Sequence, residues 1–211
     1  MCDILHVEWT LVPKTPPQAI LRCSSCGDTR PFRSSGRTRL NANGKQLDAW
    51  LIYKCIDCDG TWNRPIFERQ SVRSLNPALV EALQASAPGY VARLEFDQEG
   101  LKASAGRIEE SEEFELHRRT ICASGNRARI VITLALPYPA SLRLDRLLAS
   151  ELQLSRSRLQ VLFEAGDIRV EPARKDALKR SIRDGTVITL GLRDEAERLA
   201  TGRTAMGGYQ R

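Results

Sequence analysis

Long apolar runs, histidines and aromatic residues are all scarce in this chain of 211 residues. The longest apolar stretch, Ile130 to Leu136, is interrupted by Thr133 and ended by Pro137, far short of the roughly 18 residues a membrane-spanning helix needs. No segment is therefore expected to cross a membrane. The two histidines, His6 and His117, stand isolated, so neither reads as a metal ligand or a general base. Residues 71–140 are too short for a catalytic domain and show no Gly-rich phosphate loop, no nucleophile with a base and no isolated acid pair in an apolar setting. A non-enzymatic protein is the expectation. The opening Met1-Cys2-Asp3 has neither the basic start nor the apolar core of a secretory signal, which points to a reducing cytoplasm, where structural disulfides are rare.

Against these absences stand six cysteines, four of them in two matched pairs, Cys23-Ser24-Ser25-Cys26 and Cys55-Ile56-Asp57-Cys58. A two-residue spacing lets one backbone loop present two thiolates to one metal ion. Two such half-sites complete the tetrahedral four-sulfur cage that Zn²⁺ accepts. Each pair follows an apolar stretch, Ala19-Ile20-Leu21 or Trp50-Leu51-Ile52-Tyr53, and so reads as a strand running into a metal loop. Gly27 and Gly60 fall where a tight knuckle favours positive φ. The competing readings are disulfides, which a reducing compartment disfavours, and a thioredoxin-like dithiol, which would open a helix and need no second copy. One structural Zn²⁺ on Cys23, Cys26, Cys55 and Cys58 is expected, since four thiolates leave no position for water or substrate. Cys2 and Cys122 stand alone and read as plain small residues.

The formal net charge is +6, with a pI near 9.2, and it is unevenly spread. Residues 1–70 carry ten Lys+Arg against seven Asp+Glu, residues 71–140 eight against nine, and residues 141–211 fourteen against ten. The last third is the basic part, which suits polyanionic partners. The pattern predicts an α+β chain. Residues 1–70 read as a small β-rich zinc ribbon: a strand from Ile4 to Val12 ended by Pro13, a tight turn at Asn43-Gly44, and a strand from Leu47 to Cys55. Trp9, Trp50 and Trp62 lie in this region, where core packing and an aromatic patch for a partner are both open. Residues 71–140 read as a helical connecting segment. Asn76-Pro77 supplies an N-cap and a first-turn proline, Tyr90, Leu94 and Phe96 suggest a second short helix, and the five glutamates from Glu109 to Glu115 read as a solvated helix face. Residues 193–211 lack apolar periodicity and are expected to be disordered.

In residues 141–192, Leu144, Leu147, Leu148 and Leu152 fall on one face of a helix, with Arg143 and Arg146 off it. Ser155 reads as the N-cap of a second helix with Leu159, Leu162 and Phe163 as its core and Gly166 as its stop. Asp167 to Val170 then alternates like a half-buried strand, and Thr186 to Leu190 offers it a partner. This order, with the blocks Arg143-Leu144-Asp145-Arg146-Leu147-Leu148, Ser155-Arg156-Ser157 and Gly166-Asp167-Ile168-Arg169-Val170, resembles the S4-type RNA-binding module of a small-subunit ribosomal protein, many pseudouridine synthases and the bacterial heat-shock ribosome-binding protein. Two positions depart from it: the usual Val-Asn-Gly is here Val170-Glu171-Pro172, and a later Gly-Asp is reversed as Asp184-Gly185. The N-terminal pattern, including Trp9-Thr10, Pro13-Lys14, the paired cysteines, Asn41-Ala42-Asn43-Gly44-Lys45 and Thr61-Trp62-Asn63, resembles a small bacterial family catalogued as a domain of unknown function, which implies no activity.

The helix start at Ser155 exposes backbone N–H groups and the positive end of a dipole, a natural phosphate seat. Arg156 and Arg158 lie in that turn, where cations oppose the dipole and an anion would offset them, and Arg143 and Arg146 are placed to join them. Resemblance and charge together imply an RNA-binding protein that contacts rRNA, tRNA or a ribosomal particle through Arg143, Arg146, Ser155, Arg156 and Arg158. With few aromatic platforms, shape and phosphate contact are favoured over base-by-base readout. The basic segment holding Arg174, Lys175, Lys179 and Arg180 is the next surface to consider. The alternative is a protein-interaction or regulatory adaptor in which the ribbon grips a partner and the S4-like module is scaffold.

Overall fold

Every second residue of β1 (Ile4–Pro13) is buried, with Leu5, Val7, Trp9 and Leu11 at most 1% exposed. Such alternation is what a strand with one covered face requires. In the computed structural model, which describes residues 4–123 and 128–208, this strand does not belong with the cysteine region that follows it. The chain divides into one unit of residues 15–111 and another made of residues 1–14 together with 112–211. The ribbon expected over residues 1–70 thus loses its first strand, and Trp9 serves the core of the other unit. Cys2 lies outside the described residues.

The unit of residues 15–111 is built on an antiparallel sheet of β2 (Gln18–Arg22), β3 (Thr29–Asn43), β4 (Gln46–Cys55), β5 (Thr61–Ser71) and β6 (Ile108–Glu109), in the order β5-β4-β3-β2-β6. Gly44, at φ 62°, makes the tight β3–β4 turn. Three short helices, α1 (Pro77–Gln84), α2 (Pro88–Glu95) and α3 (Gln98–Ala105), lie against the sheet. Val91 and Leu101 pack with Ala19, Phe32, Leu51 and Tyr53. The Asn76 side chain caps α1 by accepting from the Ala78 N–H. A buried Arg64 joins helices to sheet, donating to the Leu94 carbonyl and to the Asp97 carboxylate, both at 2.6 Å. Asp97 in turn caps α3 through the Gly100 N–H. Gly100 is there for room, because a Cβ would lie 2.1 Å from Asp97 Oδ2 and 2.6 Å from an Arg64 nitrogen.

Helix ends at Ala105, so the helical segment expected over residues 71–140 is only half helical. Glu109 to Glu115 form no helix: Glu109 closes β6 and Glu115 lies in β7 (Phe114–Ala123). The deciding signal is the two-residue period of Phe114 and Leu116, which pack on the core of the second unit and which a helix would separate. In that unit the sheet order is β7-β1-β8-β10-β9, with β8 (Arg129–Ala135), β9 (Ile168–Glu171) and β10 (Val187–Leu190). β1 runs parallel to β8 and antiparallel to β7. Pro13 stands opposite Phe114, and the Lys14 N–H donates to the Glu113 carbonyl at 3.0 Å. The cysteine-bearing unit is therefore inserted where a β1–β7 hairpin would otherwise turn.

α4 (Leu144–Leu152) and α5 (Arg156–Glu164) pack as a helical pair, burying Leu144, Leu147, Leu148, Leu152, Leu159 and Leu162. Ser155 caps α5 by accepting from the Arg158 N–H, and Gly166 follows it at φ 77°. β9 and β10 then pair antiparallel. The expected disordered tail instead contains α6 (Glu195–Ala205). Its buried face is Thr201, Gly202 and Ala205, small residues that leave no apolar stripe in the sequence. A buried hydrogen bond from Trp9 Nε1 to the Ala205 carbonyl, 2.8 Å, ties it to β1. Among the described residues, no helix is long and apolar enough to cross a membrane.

Candidate metal centre and basic surfaces

Both cysteine pairs sit on the same backbone device. The Cys23 N–H donates to the Asp28 carbonyl and the Cys55 N–H to the Gly60 carbonyl; the Gly27 N–H returns to the Cys23 carbonyl and the Asp59 N–H to the Cys55 carbonyl. The residue after the second cysteine takes a left-handed conformation in each, Gly27 at φ 73° and Asp59 at φ 57°. Gly60 has a different task from the one its sequence position suggested. It is not left-handed, and a Cβ there would lie 3.1 Å from Cys58 Sγ and 3.4 Å from Cys23 Sγ. It keeps the space between the sulfurs clear.

The four sulfurs of Cys23, Cys26, Cys55 and Cys58 lie within 4.8 Å of one another, with Cys23 and Cys58 at 3.4 Å and Cys26 and Cys55 at 3.9 Å. Tetrahedral thiolate coordination at a bond length of about 2.3 Å needs sulfurs about 3.8 Å apart, so this cluster is dimensioned to hold a metal ion. Cys23 and Cys55 are buried and Cys58 is exposed. The Cys26 backbone N–H brings the Cys23 thiol down to about 7, while hydrogen bonding with Cys58, helped by desolvation, pushes Cys26 up to about 12. Arg30 bonds both Asp28 and Asp57 and fastens one knuckle to the other. Cys122 is half-buried on β7 of the other unit.

Three of the four arginines expected at the α5 start are held in ion pairs. Arg143 forks onto Asp145 at 3.0 and 2.6 Å, Arg146 pairs with Glu112, and Arg158 forks onto Glu197 of α6 at 3.0 and 2.7 Å. Three carboxylates on three segments hold three guanidiniums. Arg156 alone of the four forms no ion pair among the described residues, and the Ser155 oxygen is already accepting from the Arg158 N–H. His6 bonds Thr133 on the neighbouring strand, and the exposed His117 lies 3.8 Å from Glu115, so both serve local contacts.

Two concave surfaces gather cations, one of them including Arg174, Lys179 and Arg180 of the basic segment read in the sequence. In the second unit a cavity of about 360 Å³ is lined by Arg174, Lys179, Arg180 and Arg183 against Leu144 and Pro172. No carboxylate lines it, although Asp176 pairs with Arg180 from outside at 2.8 Å. In the inserted unit a groove of about 530 Å³ lies over β3 and β4, with Arg33, Arg37 and Lys54 at its walls, Ile52 on its floor and Asp59 as its one carboxylate. Neither surface is marked by a motif. Lys54 reaches its groove through strand register, and Arg183 reaches the cavity from the segment that leads into β10.

No curated protein and no solved structure matches the chain. Residues 40–174 match the family described as protein of unknown function DUF1062, which takes in the second cysteine pair, α1 to α5 and, of the basic cavity, Leu144, Val170, Pro172 and Arg174. That match spans more than half of the chain, and the protein belongs to the DUF1062 family.

Proposed function

We propose that the chain is a non-enzymatic, cytoplasmic, zinc-containing RNA-binding protein whose second unit docks on structured RNA such as rRNA, tRNA or a ribosomal particle. The observation that carries the reading is the cavity of Arg174, Lys179, Arg180 and Arg183, where four cations line one concavity without a carboxylate. Arg174, Lys179 and Arg183 form no ion pair among the described residues, while Arg180 is held by Asp176; clustered cations raise the local potential and favour a polyanion. The order of α4, α5, β9 and β10 agrees with the resemblance to the S4-type module, which adds to the reading. The seat moves, however, from the α5 start to the segment between β9 and β10, because Arg143, Arg146 and Arg158 are engaged by acids.

Zinc is the ion this reading places on Cys23, Cys26, Cys55 and Cys58. Four thiolates suit it, it needs no particular field geometry, and a closed set of four leaves it a structural role. When bound it supplies folding free energy to residues 15–111, and these residues supply the charge and the cage.

The test is binding of a labelled structured RNA, a tRNA or an rRNA hairpin, across a salt series. Arg174→Ala, Lys179→Ala and Arg183→Ala together are expected to weaken it and to flatten the slope of log affinity against log salt by about 2 to 3, from roughly 0.7–0.9 per phosphate contact. Arg156→Ala alone is expected to change little. Wild-type protein without salt-dependent RNA binding refutes the reading and favours the adaptor role for the ribbon.

A further inference from the structure

The outer face of the inserted sheet carries a charge arrangement that the fold itself does not use. Register places Arg33 of β3 directly opposite Lys54 of β4. Like charges in that relation destabilise a strand pair. Arg33, Arg37, Arg39 and Lys54 are all exposed, and none forms an ion pair among the described residues. The contrast with the second unit is direct, since the arginines of the α4 and α5 starts are mostly neutralised in place.

The same face carries apolar side chains between the cations. On β4, Leu47, Ala49, Leu51, Tyr53 and Cys55 are buried, so Trp50, Ile52 and Lys54 share the opposite side. Arg39 stands opposite Trp50 on β3 and Pro65 opposite it on β5. Trp50 is half-buried on this face, whereas Trp62 stacks edge-on against Tyr53 and Trp9 is wholly buried in the other unit. Trp50 and Lys54 are roughly 13 Å apart along the strand. The bulge between Ser34 and Thr38, turned by Gly36 at φ 70°, widens the groove beside them and presents Arg37 at its wall.

We infer that this sheet face binds a single-stranded RNA segment, with Arg33, Arg37 and Lys54 on its phosphates and a base against Trp50. Alternating cations and an aromatic platform on an open sheet are what sequence-tolerant single-strand binding uses. The choice of RNA rests on the reading of the chain as an RNA-binding protein; the surface is separate from the cavity assigned to structured RNA. Asp59 is the carboxylate that opposes the occupant. It holds a left-handed position that glycine fills in the other knuckle, so Asp59→Gly removes the charge without a backbone cost.

The experiment is fluorescence anisotropy of a labelled twelve-nucleotide oligouridylate on the full, zinc-loaded chain over a salt series, with zinc content measured for every variant. Arg33→Ala with Lys54→Ala is expected to lower affinity at least tenfold at low salt and to flatten the salt slope by about 1.4, at roughly 0.7 per single-strand contact. Trp50→Leu is expected to lose about tenfold or more, and Asp59→Gly to gain severalfold. Arg174→Ala with Lys179→Ala and Arg183→Ala should leave oligouridylate binding intact while losing structured RNA. Oligouridylate binding unchanged by Arg33→Ala and Lys54→Ala, with wild type binding, overturns the surface and leaves the cavity reading standing. Loss of zinc rather than of affinity in those variants shows that the cations only balance the thiolate cage, which also overturns it. Equal binding of oligothymidylate overturns the assignment to RNA.

Discussion

Removing the metal is expected to act on both units, by two different physical routes. In residues 15–111 the core is small, centred on Ala19, Phe32, Leu51, Tyr53, Val91 and Leu101, and Cys23 and Cys55 are themselves part of it. Structural zinc contributes on the order of 10–16 kcal/mol at neutral pH, as much as the whole stability of an ordinary domain, about 5–15 kcal/mol. Chelation should therefore unfold this unit. The second unit keeps its core, but β1 and β7 are then joined by a slack loop of roughly a hundred residues, whose closure costs about 4 kcal/mol. Its melting point should fall by roughly 15 °C although no residue in it binds metal. Cys58→Ser is the cleanest single change, because Cys58 is exposed and losing it opens no cavity. Hydrogen exchange read by mass spectrometry should show β2 to β5 losing protection in Cys58→Ser, with β8 and β10 retaining it at lower stability. Replacing residues 15–111 by a two-residue turn between Lys14 and Glu112 should abolish the metal sensitivity of the second unit, since Pro13 and Phe114 already face each other. Full protection of β2 to β5 after complete metal removal would refute the reasoning, as would loss of both units together.

Three further outcomes follow from single contacts. Deleting residues 193–211 removes α6 and with it the Trp9 to Ala205 hydrogen bond, and should lower the second unit's stability by several kcal/mol in urea titration; Trp9→Phe, which removes that bond and also leaves a cavity beside a smaller ring, should cost more than the ~1–3 kcal/mol of the lost bond alone. Gly100→Ala has no space beside Asp97 and Arg64 and should cost about 1–3 kcal/mol, read as a shift in the urea midpoint of residues 15–111, while Gly89→Ala, with nothing within 4 Å, should not. Zinc affinity should rise with pH between 6 and 8 as protons leave the thiols, measured by competition with a chromophoric chelator; a flat profile would argue against thiolate ligation.

How far the sequence was legible depended on which physical signal each element carried. The knuckles are visible because metal ligation fixes residue type and spacing. The helix starts at Asn76 and Ser155 are visible because caps are local chemistry, and the structure has both side chains accepting the expected N–H groups. Elements whose reason is tertiary stayed hidden. α6 packs through Thr201, Gly202 and Ala205 against a surface that includes Leu5 and Ile130, and nothing in its own pattern announces a face. Glu109 to Glu115 looked helical by composition, yet Phe114 and Leu116 needed the free edge of β1 to become a strand.

The same distinction applies to the basic surfaces. An arginine near a helix start is a weaker phosphate ligand when a carboxylate reaches it, and Glu112, Asp145 and Glu197 come from positions 2 to 39 residues away in sequence. Counting charge along the chain cannot see that neutralisation. It also cannot see the converse, that Arg33 and Lys54 are brought opposite one another by a hairpin whose turn at Gly44 fixes the register. Free cations are then a property of pairing rather than of composition: the C-terminal third is richer in Lys and Arg, but the inserted unit exposes its cations unpaired beside Trp50. If the two surfaces act on one RNA, the insertion at the β1–β7 turn is what links them, and the metal that folds the insertion becomes a condition for single-strand contact but not for docking at the cavity. Chelated protein should keep binding to a structured RNA, with reduced thermal stability, while losing oligouridylate altogether; the opposite order of loss would place the main RNA surface on the ribbon and leave the cavity without a nucleic-acid role.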